Sequence, residues 1–76
     1  MKIQTLDGFI AKGKNAEEVC KALWYSMIFA DADFETWLKN SAHRAKMWNG
    51  SDVRYDTAEH HLQDLIAGKV VVLLED

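Results

Sequence analysis

The stretch from Val53 to Asp76 leaves a folding chain few choices, because it carries start and stop signals for a helix and then an unbroken apolar run. Asp56 stands three residues ahead of Glu59, the spacing at which a capping side chain and a carboxylate satisfy N–H groups at a helix start. Ala58, Leu62, Leu65 and Ile66 then recur on one helical face, and Gly68 offers the left-handed conformation that ends a helix. A helix over Thr57–Ala67 follows. The run Val70-Val71-Val72-Leu73-Leu74 is apolar on both alternating faces and β-branched at its start. That pattern predicts a strand covered on one side by helices and flanked by neighbours, not a half-exposed edge.

The rest of the chain supplies partners for these two elements. Lys2 to Leu6 and Phe9 to Lys12 flank Asp7-Gly8, which predicts a hairpin closed by a two-residue turn. Asn15 precedes Glu18 by three residues, and Val19, Leu23 and Met27 recur every fourth position, so a first helix is expected from Asn15 to Phe29. Asp33 starts a second helix with Glu35 in its first turn, near the positive end of the macrodipole. It extends to about Trp48, with Phe34, Trp37, Leu38, Ala42 and Ala45 inward, Met47 or Trp48 closing that face, and Asn49-Gly50 as the stop. Ser51 to Tyr55 is a connector or a short edge strand. The expected fold is α+β: a small antiparallel or mixed β-sheet packed against three α-helices, in the order β-β-α-α-(β)-α-β, as one domain over residues 1–76.

Seventy-six residues lie near the lower limit for a core without disulfides or metals, so the 49% hydrophobic content, with three Trp and three Phe, has to be packed efficiently. Cys20 stands alone and excludes an internal disulfide, and neither a signal peptide nor a spanning apolar run is recognisable. A soluble, cytoplasmic protein is the expectation. Twelve acidic against nine basic residues give a net charge of −3, which disfavours direct attraction to nucleic acid or an anionic membrane and mildly favours a basic partner.

Reaction chemistry finds little support in the spacing. His60 and His61 are adjacent, so on a helix they point about 100° apart, unlike the pair one turn apart that grips zinc; one is expected at the helix boundary and the other in solvent. Cys20 falls within the first helix beside Val19 and reads as a buried, inert thiol. Ser26, Ser41 and Ser51 lack the context of an activated nucleophile. Gly8 and Gly13-Lys14 imitate a phosphate loop, but Asn15 stands where Ser or Thr should hold magnesium. No catalytic residue, metal or cofactor is therefore expected.

Recognition by a protein partner has more to draw on. Asp31, Asp33 and Glu35 gather at the start of the second helix, while Asp52, Asp56, Glu59 and Asp64 follow the connector and the third helix. Singly, such residues serve as caps or as a solvated face; together they can steer association with a Lys/Arg-lined surface. So small a domain has difficulty covering three indoles, which leaves Trp48, or Trp24 beside Tyr25, as a candidate anchor. The expected partner-binding residues are Asp31, Asp33, Glu35, Trp48, Asp52, Tyr55 and Asp64.

The layout resembles that of very small phage and mobile-element proteins that include inhibitors of type I CRISPR effector complexes. The likeness is carried by Gly8-Phe9-Ile10-Ala11-Lys12 leading into Asn15-Ala16-Glu17-Glu18-Val19, by Phe34-Glu35-Thr36-Trp37-Leu38, and by Val53 to Glu59 with Leu62 to Gly68 and the closing strand. His61 stands where the resemblance leads one to expect an aromatic packing residue. The resemblance implies a stoichiometric protein without turnover that binds a basic Cas subunit in the host cytoplasm and blocks target DNA binding, by occlusion or by mimicking DNA charge. A reading from a different class is a small homodimeric phage accessory or regulatory module that uses Trp48 and Tyr55 at a self-complementary interface.

Overall fold

The computed structural model describes residues 1–26 and 32–75. Strands β1 (Lys2–Thr5) and β2 (Ile10–Lys12) are followed by helices α1 (Ala16–Tyr25), α2 (Phe34–Asn49) and α3 (Ala58–Ala67) and by strand β3 (Val71–Glu75). The expected α+β fold is present: a three-stranded antiparallel sheet with three helices, the order being β-β-α-α-α-β. Ser51–Tyr55 is a connector and not a strand. The expected extension of the first helix to Phe29, including Met27, and the candidate Asp31 lie outside the described residues.

Local signals account for most element boundaries. Asn15 Oδ1 accepts from Glu18 N at 3.0 Å, and Asp33 Oδ1 accepts from Thr36 N at 2.7 Å, so α1 and α2 begin on side-chain caps. α2 ends on Gly50 at φ 68°, whose N–H reaches Lys46 O at 3.1 Å. Three expectations need correction. The cap of α3 is Thr57, whose Oγ1 accepts from His60 N at 3.1 Å, while the Asp56 carboxylate turns to the His60 ring at 3.0 Å. The left-handed residue after α3 is Lys69, at φ 60°, and Gly68 has φ −83°. Glycine at position 68 answers a steric need instead: a Cβ there would lie 2.5 Å from Ser51 Oγ. The hairpin loop is longer than two residues. Thr5 and Phe9 close it through Thr5 N–Phe9 O at 2.9 Å, so Leu6, Asp7 and Gly8 form the loop and Gly8 supplies the positive φ of 96°.

β1 is the central strand, in the order β2-β1-β3. Ile3 pairs with Ala11 on one side and Leu73 on the other, and Thr5 pairs with Val71, so these side chains share the helix-facing side. Ile3, Ala11 and Val71 are buried there against Val19, Cys20 and Leu23 of α1, Trp37, Leu38, Ala42 and Ala45 of α2, and Leu62 and Leu65 of α3. The expected inward faces of α1 and α2 are therefore in place over the described residues, except that Met47 and Trp48 do not close the α2 face: both are exposed, Trp48 at 81%. β3 also departs from expectation. It is an edge strand in which only Val71 is buried, because the three strands of the described residues leave nothing to pair beyond it and helices cover a single face.

His61 is the further correction, for it is fully buried in the core, neither at the helix boundary nor in solvent, the two places expected for the His60–His61 pair. Its Nδ1 lies 2.8 Å from the Arg54 carbonyl and its Nε2 3.0 Å from Ser41 Oγ. A carbonyl only accepts, so Nδ1 carries the proton and the serine hydroxyl donates to Nε2. The ring also meets Trp37 edge-on, with centroids 5.4 Å apart. Burial pushes its pKa below the ordinary 6.5, which keeps the imidazole neutral. It thus fills an aromatic packing position while satisfying two polar groups.

Candidate protein-interaction surfaces

The beginnings of all three helices meet at one end of the molecule. There an open groove of about 440 Å³ runs between Ala16–Glu17 of α1, Phe34–Glu35 of α2 and Asp56–Glu59 ahead of and within α3, with Leu38 among its walls. Four carboxylates line it: Glu17, Glu35, Asp56 and Glu59. Local folding explains why they are there, since carboxylates at helix N-termini face the positive ends of the macrodipoles. Topology then gathers the three ends into one negative surface. Glu17 is partly offset by Lys21 at 3.7 Å, and the Asp56 carboxylate accepts a hydrogen bond from the His60 ring that holds it below its usual range. Glu35 and Glu59 have no ion-pair partner among the described residues.

A second, larger groove of about 700 Å³ lies between α2 and the connector and has the opposite character. Lys39, His43 and Lys46 follow one stripe of α2 along its wall, with Arg54 and Tyr55 opposite. Here Asp52 and Asp64 are committed within the chain. Asp52 pairs with Lys46 at 2.8 Å. Asp64 accepts a two-pronged bond from the Arg54 guanidinium, at 2.8 and 3.1 Å, and a third from the Arg54 backbone N–H at 2.9 Å. These donors lower the Asp64 pKa to about 2 and leave its side chain 20% exposed.

The seven residues expected to bind a partner are therefore divided among several places. Asp33 caps α2, and the Thr36 amide lowers its pKa, while Glu35 stands in the acidic groove. Asp52 and Tyr55 line the cationic groove, and Asp64 is held by Arg54 beside it. Trp48 projects from the end of α2, about 180° around the helix from Lys39, so α2 separates it from Tyr55. Asp31 lies outside the described residues. Glu17 and Glu59 were not among the expected contacts. Their signal was a carboxylate in the first turn of each helix, but only the tertiary arrangement shows that those turns converge.

Cys20 is buried, its Sγ 3.7 Å from the Ala58 carbonyl, and burial raises its pKa to about 12, so no thiolate is available near neutral pH. Among the described residues no three or more His, Cys, Asp or Glu side chains are grouped to hold a metal ion, and no helix is long and apolar enough to cross a membrane. No family model, curated protein or solved structure matches the chain.

Proposed function

We propose that this protein is a non-catalytic, stoichiometric binder that seats its acidic end on a basic protein surface in the bacterial cytoplasm. The supporting observation is the convergence of Glu17, Glu35, Asp56 and Glu59 in one groove, with Glu35 and Glu59 free of ion-pair partners among the described residues. Steering of this kind raises the rate of encounter and selects partners of opposite charge. The sequence resemblance gives the partner a concrete form: a DNA-contacting Cas subunit of a type I CRISPR effector complex, whose target DNA binding the protein would block as an anti-CRISPR.

The test is a competition assay with a purified type I complex and labelled target DNA. DNA binding should fall as the protein approaches equimolar amounts, and Glu35→Lys with Glu59→Lys should weaken inhibition about tenfold or more at low salt and flatten its salt dependence. The caps of α2 and α3 are Asp33 and Thr57, so neither substitution removes a capping side chain, and circular dichroism should show the variant folded. Unchanged DNA binding at saturating protein removes the Cas assignment, and full potency of the charge-reversed variant removes the acidic groove as the contact surface.

A further inference from the structure

The residues that stop α2 also form the most reactive backbone sequence in the chain. In an Asn-Gly pair no side chain shields the amide nitrogen of the second residue, which can attack the asparagine carboxamide and expel ammonia. Asn49-Gly50 is the only such pair, since Asn15 and Asn40 precede Ala16 and Ser41. Both residues are exposed, and the place a Gly50 Cβ would take has no atom within 4 Å. The fold nevertheless holds both reacting groups. Gly50 N–H donates to Lys46 O at 3.1 Å and Ser51 N–H to Ala45 O at 3.3 Å, which fixes the nucleophile in the last turn of α2. Asn49 Nδ2 donates to Gly68 O at 2.7 Å and to Ser51 Oγ at 3.0 Å. The nitrogen that would leave is therefore the one that ties the end of α2 to the end of α3, 19 residues along the chain.

We propose that Asn49 is a self-modification site, a deamidation centre kept closed by its bonds to Gly68 and Ser51 and opened when the end of α2 detaches from the end of α3. In the open state Gly50 N, released from Lys46, bonds to Asn49 Cγ. The bond from Cγ to Nδ2 breaks, the Gly50 N–H proton leaves with the ammonia, and a cyclic imide remains. Water then opens the imide at one of its carbonyls, giving aspartate or, where the backbone carbonyl is attacked, isoaspartate at position 49. Neither product restores the tie. A carboxylate accepts and cannot donate, so it meets the Gly68 carbonyl acceptor to acceptor, and its charge lies at the negative end of the α2 macrodipole. Isoaspartate also lengthens the backbone ahead of Ser51, whose Oγ would lie 2.5 Å from a Cβ at Gly68, so the joint has no room to absorb the shift. A transient opening of the helix end thereby becomes a permanent loosening. The site is independent of the acidic groove and of any partner bound there.

The whole chain, folded in mildly alkaline buffer or unfolded there by urea, is digested in acid and read by mass spectrometry that separates asparagine, aspartate and isoaspartate at each position. Asn49 should convert ahead of Asn15 and Asn40 in both samples. Its rate in the folded protein should be about tenfold or more below that of the unfolded chain and should rise with urea below the unfolding midpoint. Asn49→Asp supplies one product directly: it should fold by circular dichroism yet shift the unfolding equilibrium about fivefold or more towards the unfolded chain, and less so in acid, where a protonated carboxyl can donate. Equal rates in the folded and unfolded chains, or a folded rate that urea below the midpoint does not raise, overturn the gating. Conversion of Asn15 or Asn40 ahead of Asn49 overturns the site, and an Asn49→Asp chain as stable as wild type overturns the loosening.

Discussion

Replacing His61 with phenylalanine separates the two roles this side chain combines. The Phe ring can keep the edge-on contact with Trp37, but it offers nothing to the Arg54 carbonyl or the Ser41 hydroxyl. Two hydrogen bonds at about 1 kcal/mol each set a loss of about 2 kcal/mol, offset in part by the more apolar ring at a fully buried position. A net loss of about 1–2 kcal/mol near pH 7.5 is expected, or roughly 5–15 °C in Tm for a chain of this size. The pH dependence carries the sharper test. Because burial depresses the His61 pKa, the unfolded chain takes up a proton as pH falls through 6.5 while the folded chain does not. His61 therefore favours folding fully above that pH and progressively less below it, by at most about 1.4 kcal/mol per pH unit. The variant lacks this dependence, and His43 and His60 are common to both proteins. Urea titrations followed by circular dichroism at about pH 7.5 and about pH 5.5 should show the gap between wild type and His61→Phe narrowing in acid. A gap of the same size at both pH values would refute the account of a neutral, doubly bonded core histidine.

Cys20 should resist a thiol reagent in the folded protein and react only at the rate of chain opening, so that about 1 M urea speeds labelling through the unfolding equilibrium. Gly13→Ala should cost about 1–3 kcal/mol by denaturant titration, since the new Cβ would lie 2.5 Å from Glu18 Cβ and 3.1 Å from the α1 backbone. Carbon-detected NMR should find the Asp64 carboxyl titrating at about 2, and Arg54→Gln should return it towards 3.8; the contribution of the pair to stability is present above 3.8 and lost as pH falls towards 2.

What could be foreseen from the residues follows a physical division. Caps and periodicity act within a few residues, so Asn15, Asp33 and Gly50 announced their helices, and Trp37, Leu38, Ala42 and Ala45 announced the buried face of α2. The start of α3 was displaced by one residue because Asp56 and Thr57 are both good caps, and the competing His60 ring drew the carboxylate away. Periodicity also placed position 61 next to Leu62 without revealing that a histidine there would be buried; that depends on Ser41 and the Arg54 carbonyl, 20 and 7 residues distant. The exposure of β3 is likewise a matter of strand count, which a purely apolar run does not disclose. Charge shows the same limit. The carboxylates were visible, but only pairing distances distinguish Asp52 and Asp64, already engaged, from Glu35 and Glu59.

The position of β1 between β2 and β3 also sets an order of events for a chain leaving the ribosome. Its pairing with β2 spans only the first dozen residues, whereas Lys2 meets Glu75 across nearly the whole sequence. The hairpin can therefore form early, yet one side of Ile3 waits, unpaired, until the last strand has emerged. Helices assembled in the meantime have only part of a sheet to rest on, so the final commitment to the fold should come late and in a single step, governed by the closure of this longest loop.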